Sequence, residues 1–223
     1  MAIEVLESSQ VLIDRFIELR PPDSKLVFHH VPWEEYEALL NQLVDPAGLR
    51  ITFDNGTLQI TTASVEHENY ARFLDKIIGL ISVRQRIRIR SFGSATMRKH
   101  KKLKGNEPDA CFYVQSVPLI GNRVDLDFEV DPPPDIVVEI DLHRDSISKF
   151  SIYAALDVGE IWRYDGVLLK IDVLQGQDYV PATQSRALPL LTTEILTDFL
   201  RRMREDEFQA LIEFDEWIQK QGA

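Results

Sequence analysis

A short apolar run in the second half of the chain constrains the fold most strongly. Residues 136–140 spell IVVEI, and three consecutive prolines at 132–134 hold the chain extended just before them. A run of this length and composition is typical of a strand in the interior of a sheet. Helical patterns alternate with the predicted strands along the chain. The sequence therefore predicts an α/β fold with a mixed β-sheet flanked by helices.

Turn signals and helical periodicity outline the remaining elements. Asn55-Gly56 and Asp165-Gly166 each separate two apolar-alternating runs, which predicts two β-hairpins. Ser64 is a predicted N-cap for a helix of four or five turns, and further helices are predicted from residue 33, over 146–157 and in the last thirty residues. We interpret 1–223 as a single domain, with an N-terminal extension (1–31), a core (32–185) and a C-terminal helical segment (190–220).

Composition narrows the classes of function. The chain has 223 residues and a formal net charge of −11, so any polyanion must be bound by a local site rather than by the protein as a whole. No run approaches the ~18 apolar residues of a membrane span, and the N-terminus lacks a signal-peptide pattern. We therefore expect a cytoplasmic protein without membrane contacts. Cys111 is expected to be a small buried hydrophobic residue, because it has no second cysteine to pair with.

The segment 84–104 is strongly basic and contains no acidic residue. In RQRIRIR the arginines alternate, so an extended strand would present them on one face and Ile87 and Ile89 on the other. This stripe is either a solvated face neutralised by the acidic C-terminal segment or a surface that contacts nucleic-acid phosphates. In the second case the contacting residues are Arg86, Arg88, Arg90 and Lys101.

Acidic residues in the buried strand suggest a metal site. Glu139 and Asp141 share one face of the predicted strand, and Asp109 opens the preceding strand after Pro108. A buried carboxylate is costly without a partner, and a hard cation such as Mg²⁺ or Mn²⁺ neutralises a carboxylate cluster well. The alternative from spacing alone is structural, because Asp after Pro is common in turns and a strand Glu often faces water at an edge.

The order of these residues resembles a known family. Pro108-Asp109, the run DIVVEID at 135–141, a helix with Asp145, Lys149 and Tyr153, and GEIW at 159–162 follow one another. This order, together with the FDNG hairpin and the pair Glu66-His67, resembles the bacterial Uma-two (Uma2) family described as restriction endonucleases. That family belongs to the PD-(D/E)xK nuclease superfamily. The resemblance extends from about residue 33 to residue 180 and implies a restriction-endonuclease-like core.

The resemblance also implies roles for individual residues. Asp109 and Glu139 would hold Mg²⁺ or Mn²⁺ at a phosphodiester. The superfamily lysine lies two residues after the glutamate, where this chain has Asp141, so Lys149 on the following helix is the candidate catalytic cation. Glu66 is a candidate outer metal ligand. His67 is either a capping residue or a hydrogen-bonding and proton-transfer group.

Two functions remain open from the sequence. The first is a metal-dependent endonuclease that hydrolyses DNA phosphodiester bonds, a reaction that favours a homodimer because two strands must be cut. The second is a nuclease-fold protein without turnover that serves as a nucleic-acid-binding or oligomeric interaction module. Retention of Asp109, Glu139 and Lys149 favours the enzyme, whereas the acidic net charge favours the module.

Overall fold

A computed structural model describes residues 13–16, 18–19, 24–43, 48–142 and 149–221. The helices are α1 (Trp33–Gln42), α2 (Val65–Arg84), α3 (Val117–Ile120), α4 (Phe150–Ala155), α5 (Thr193–Glu205) and α6 (Glu207–Gln221). The strands are β1 (Lys25–Phe28), β2 (Leu49–Asp54), β3 (Thr57–Thr62), β4 (Arg90–Ser91), β5 (Met97–Lys99), β6 (Lys104–Asn106), β7 (Ala110–Tyr113), β8 (Ile136–Ile140), β9 (Glu160–Tyr164), β10 (Leu169–Gln175) and β11 (Asp178–Ala182). A 3₁₀ turn spans His100–Lys102.

The described strands form two sheets, which the sequence did not reveal. The first sheet has the order β1-β3-β2-β6-β5 and is antiparallel. The second has the order β11-β10-β9-β8-β7-β4 and is mixed, because β8 and β9 run parallel. The mixed α/β architecture is as predicted. The hairpin β2–β3 lies outside the mixed sheet because β2 pairs with β6, about fifty residues further along the chain.

The hairpin β2–β3 and the long helix α2 form where the local sequence signals predicted them. Asn55 and Gly56 both have positive φ, 47° and 85°, which suits the two-residue turn between β2 and β3. The Ser64 hydroxyl accepts a hydrogen bond from the His67 backbone N–H and caps α2. Asp165-Gly166 lies in the connection between the paired strands β9 and β10. The C-terminal segment forms two helices, α5 and α6, that separate at Asp206.

The buried strand β8 separates two apolar clusters. All five of its residues are buried. Ile136, Val138 and Ile140 pack with α2, α5 and α6, whereas Val137 packs on the other side with Ile152 of α4. Because side chains alternate along a strand, Glu139 faces the same side as Val137 and α4. Cys111 is fully buried, as predicted, and burial raises the pKa of its thiol to about 12.

Two predicted elements differ from the structure. The segment RQRIRIR is not a strand: α2 continues to Arg84, which pairs with Asp215 of α6, and only Arg90–Ser91 is extended. The helix predicted over 146–157 begins at Phe150 in the described part of the chain, while Asp145 lies outside the described residues. None of the described helices is both long and apolar enough to cross a membrane.

Candidate active site

Asp109 and Glu139 occupy opposing positions on neighbouring strands. Ala110 pairs with Val138 in the antiparallel register of β7 and β8, so Asp109 continues the ladder opposite Glu139. The backbone N–H of Asp109 donates to the Val138 carbonyl (3.0 Å), and its Oδ2 accepts from the Ile140 N–H (2.7 Å). Opposing residues of an antiparallel pair share a face. The two carboxylates therefore lie on the same face of the mixed sheet, at one end of β8.

Glu139 is buried within a set of polar donors. Its Oε1 accepts hydrogen bonds from the Asn106 amide (3.1 Å) and the Tyr153 hydroxyl, and its Oε2 accepts from Lys149 Nζ (2.5 Å). Only 2% of its surface is exposed. Burial raises the pKa of Glu139 to about 7, and the neighbouring Lys149 limits this rise. The carboxyl group thus changes charge near neutral pH.

Lys149 and Tyr153 reach Glu139 from the start of α4. Lys149 is the N-cap residue, and its carbonyl accepts from the Tyr153 backbone N–H (2.9 Å), which brings both side chains to one face. Burial disfavours the charged ammonium, but the carboxylates of Glu139 and Asp109 outweigh it and raise the pKa of Lys149. The ammonium therefore stays charged beside the carboxylate pair.

Arg50 holds Asp109 from the other sheet, a contact that the sequence analysis missed. Its Nε donates to Asp109 Oδ1 (3.1 Å), and its Nη2 donates to Glu68 Oε1 of α2 (2.7 Å). Only 11% of the Arg50 side chain is exposed. A charged residue within the apolar strand LRITFD was the available signal, of the same kind as the glutamate in IVVEI.

Asn106 connects the two sheets at the site and was also missed. Its Oδ1 accepts from the Thr52 hydroxyl (2.6 Å), while its amide donates to Glu139 and to the Tyr153 oxygen (2.5 Å). The next residue, Glu107, is buried and accepts from Thr96 Oγ1 (2.6 Å). Burial raises the pKa of Glu107. No local sequence pattern marks Asn106, because its importance depends on the pairing of β6 with β2.

Glu66 and His67 are oriented toward their own helix. Glu66 is exposed and accepts from the Tyr70 hydroxyl (3.2 Å), and His67 Nδ1 lies 2.9 Å from Ser64 Oγ. Glu68, which also lies on α2, is connected to Asp109 because Arg50 donates hydrogen bonds to both carboxylates. Within the residues that the structure describes, no three His, Cys, Asp or Glu side chains are grouped so that they could share a metal ion. Glu66 is thus not grouped with Asp109 and Glu139.

The predicted phosphate-contacting residues separate into two places. Lys101 is exposed in the 3₁₀ turn between β5 and β6, the strand that carries Asn106. Arg86, Arg88 and Arg90 line an open groove at the other end of β7 from Asp109. The single extended face predicted for the arginines is therefore wrong, because α2 continues to Arg84 and ends in a turn.

Comparison with known proteins identifies the family. A sequence model of the Uma2 family, described as "Putative restriction endonuclease", matches residues 33–204. The chain belongs to the Uma2 family. The structure is also similar to a crystal structure described as a putative nuclease belonging to DUF820 from Anabaena variabilis. That similarity has a TM-score of 0.47 and 18% sequence identity, and it covers 67% of this chain and 90% of that chain. A comparison with curated proteins found no match.

Membership in the Uma2 family confirms the resemblance drawn from the sequence and supports nuclease function in general terms. Restriction-endonuclease-like families are generally metal-dependent, and the candidate donors of this site are carboxylate oxygens. Mg²⁺ is commonly bound by one or two carboxylates, with waters and substrate phosphates completing its octahedral shell. Asp109 and Glu139 supply two carboxylates on one face.

Proposed function

We propose that this protein is a metal-dependent endonuclease that hydrolyses DNA phosphodiester bonds with Asp109, Glu139 and Lys149. The observation that supports this most directly is the contact of Lys149 Nζ with the buried Glu139 carboxylate, directly across the ladder from Asp109. DNA is proposed as the substrate because the family is described as restriction endonucleases. A cytoplasmic location and a homodimer that cuts both strands belong to the same proposal.

The side chains of the site have distinct tasks in this proposal. Asp109 and Glu139 would hold Mg²⁺ or Mn²⁺, which when bound polarises the phosphate and lowers the pKa of a coordinated water. Lys149 orients the attacking water and stabilises the negative charge that develops on the phosphate oxygens. Arg50 fixes the Asp109 carboxylate through Oδ1, and Tyr153 fixes Glu139 through Oε1. Lys101 contributes a phosphate contact on the side of β6.

His67 and Glu66 have supporting tasks in this proposal. Glu66 would contact the metal through its water shell, and His67 would donate a hydrogen bond or carry a proton near the helix N-terminus. Both tasks require the side chains to leave their contacts with Tyr70 and Ser64 when substrate binds.

Nicking of supercoiled DNA in Mg²⁺ or Mn²⁺ tests the proposal. Asp109→Ala is expected to abolish metal binding by calorimetry and to reduce nicking by a factor on the order of 10² or more. Asp178→Ala is the matched control, because Asp178 is exposed in β11 and is expected to leave both measurements unchanged. Nicking by Asp109→Ala at the wild-type rate would refute the proposed centre. DNA binding without any metal-dependent nicking by the wild type would instead identify the inactive binding module.

A further inference from the structure

The groove beyond the far end of β7 has an unusual charge for this protein. It has a volume of 1080 Å³, and among the described residues its lining includes Arg86, Arg88 and Arg90 but no acidic residue. The chain as a whole has 36 acidic and 25 basic residues. A surface with three arginines and no acid is therefore a local positive site on an acidic protein, which is the arrangement expected of a specific polyanion site.

Among the described residues, ion pairs neutralise part of the basic segment but not the arginines of the groove. Four cations of the segment are paired: Arg84 with Asp215, Arg98 with Glu37, Lys99 with Asp157 and Lys104 with Asp54. Arg86 and Arg88 have no such partner in the parts of the chain that the structure describes, and both are exposed at the groove. Their guanidinium groups are thus available to an external anion.

Arg86 has a backbone conformation that is unfavourable for a residue with a side chain, and a binding role for the groove would explain why an arginine is kept there. Arg86 has φ 53° and occupies the left-handed position of a helix C-terminus. The Arg86 N–H donates to the Val83 carbonyl (3.4 Å), and the Ile87 N–H donates to the Ser82 carbonyl (3.1 Å). This bonding is that of a Schellman motif, where glycine is usually preferred because it adopts positive φ without strain. The chain therefore has an arginine at a position where glycine would make the backbone more stable.

The remaining arginine is held in place by its surroundings. Arg90 donates from Nη1 to the Gly121 carbonyl (2.7 Å), and its guanidinium lies 4.8 Å from the Phe92 ring centroid. Ile87 and Val117 add apolar surface to the groove. The groove thus combines one cation that is held in place with two exposed ones.

The groove lies away from the carboxylate pair. Arg90 pairs with Tyr113 at the C-terminal end of β7, whereas Asp109 immediately precedes the N-terminal end of this strand. Tyr113 lies four positions after Asp109 along extended chain, which corresponds to ~13 Å. At 3.4 Å per nucleotide along a strand, this distance spans about four nucleotides of duplex DNA.

We propose that this groove is a second phosphodiester-binding site, which holds the DNA backbone about four or more nucleotides away from the bond at Asp109 and Glu139. The assignment of that bond as the cleaved one rests on the proposed function. Arg86 and Arg88 contact phosphates directly, and Arg90 supports them. The site contributes affinity without sequence preference, because phosphate contacts carry no base information.

Salt-dependent DNA binding, measured by fluorescence anisotropy on a duplex of about twenty base pairs, tests the proposal in three variants. Arg88→Met is expected to reduce the slope of log affinity against log salt by about 0.9, and Arg86→Gly/Arg88→Met by about twice that. Arg86→Gly alone weakens DNA binding while raising Tm by about 2–4 °C, because it relieves the left-handed strain. A variant that binds DNA less tightly but has a higher Tm has lost a contact with DNA and has not lost its fold.

Arg186→Met is the matched control, since Arg186 is exposed and lies outside the groove; it is expected to leave the slope unchanged. An unchanged slope in Arg86→Gly/Arg88→Met would overturn the proposal. So would a change of oligomeric state in this variant without loss of DNA affinity, because the groove would then be an interface between copies. These binding measurements need no cleavage, so absence of nicking would refute the proposed catalytic function and leave this test intact.

Discussion

Substitution of Lys149 tests the catalytic role proposed for its ammonium group. The Lys149 side chain is 17% exposed, and its Nζ lies 2.5 Å from an Oε of Glu139, which is almost wholly buried. Lys149→Met retains a side chain of similar length and flexibility but removes the charge. The substitution therefore changes the electrostatics around Glu139 with little change in volume.

The expected cost in stability is small for such a buried pair. An uncompensated buried charge destabilises a protein by about 3–5 kcal/mol, but Glu139 can avoid this by binding a proton. Its pKa is already about 7 with Lys149 present, and loss of the cation raises the pKa further. We therefore expect Lys149→Met to lower the free energy of unfolding by about 1–2 kcal/mol at neutral pH.

The expected effect on metal binding depends on pH. Above the pKa of Glu139 the carboxylate is ionised in both proteins, so loss of a repelling cation leaves metal affinity equal or slightly higher. Below this pKa a proton competes with the metal, and affinity falls as the pH decreases. Calorimetric titration with Mg²⁺ is therefore made over a range of alkaline pH, in which the Glu139 carboxyl group ionises.

Cleavage is expected to fall although metal still binds. Loss of the cation that stabilises the developing phosphate charge should lower the rate by about 10²-fold or more, equivalent to ~2.7 kcal/mol in the activation barrier. The rate is measured as nicking of supercoiled DNA at saturating Mg²⁺. Lys170→Met is the control, because Lys170 is exposed on β10. Wild-type nicking by Lys149→Met would show that the ammonium takes no part in catalysis.

Two further predictions concern stability. Without divalent cations, the free energy of unfolding of the wild type should fall by about 3 kcal/mol as the pH rises from the unfolded-state pKa of Glu139, near 4.5, to about 7. The reason is that in this pH range only the folded state binds the proton. Glu139→Gln should flatten this part of the pH profile in chemical denaturation, and parallel profiles would contradict the assignment. Tyr36→Phe should raise the free energy of unfolding by about 1 kcal/mol, because the buried Tyr36 hydroxyl has no hydrogen-bond partner among the described residues. A loss of stability in Tyr36→Phe would reveal a partner for this hydroxyl.

Sequence reasoning worked best where a signal acts over a few residues. The Asn55-Gly56 turn, the Ser64 cap and the buried strand IVVEI all formed as predicted. The prediction for RQRIRIR was wrong because alternation alone does not decide between a strand and the end of a helix. There, α2 continues to Arg84, whose guanidinium pairs with Asp215, 131 residues further along the chain.

In the candidate site, too, some features could be predicted from the sequence and others depended on the tertiary structure. The sequence by itself determined that carboxylates at 109 and 139 adjoin apolar strands, and the family resemblance indicated Lys149 as their cation. Only the tertiary structure brought Arg50 to Asp109 and Asn106 to Glu139, by placing residues of the two sheets next to each other at this site. The physical reason is that a buried polar group must find its hydrogen-bond partners wherever the chain supplies them. Thr52 and Asn106 meet across 54 residues, a separation at which no local pattern operates.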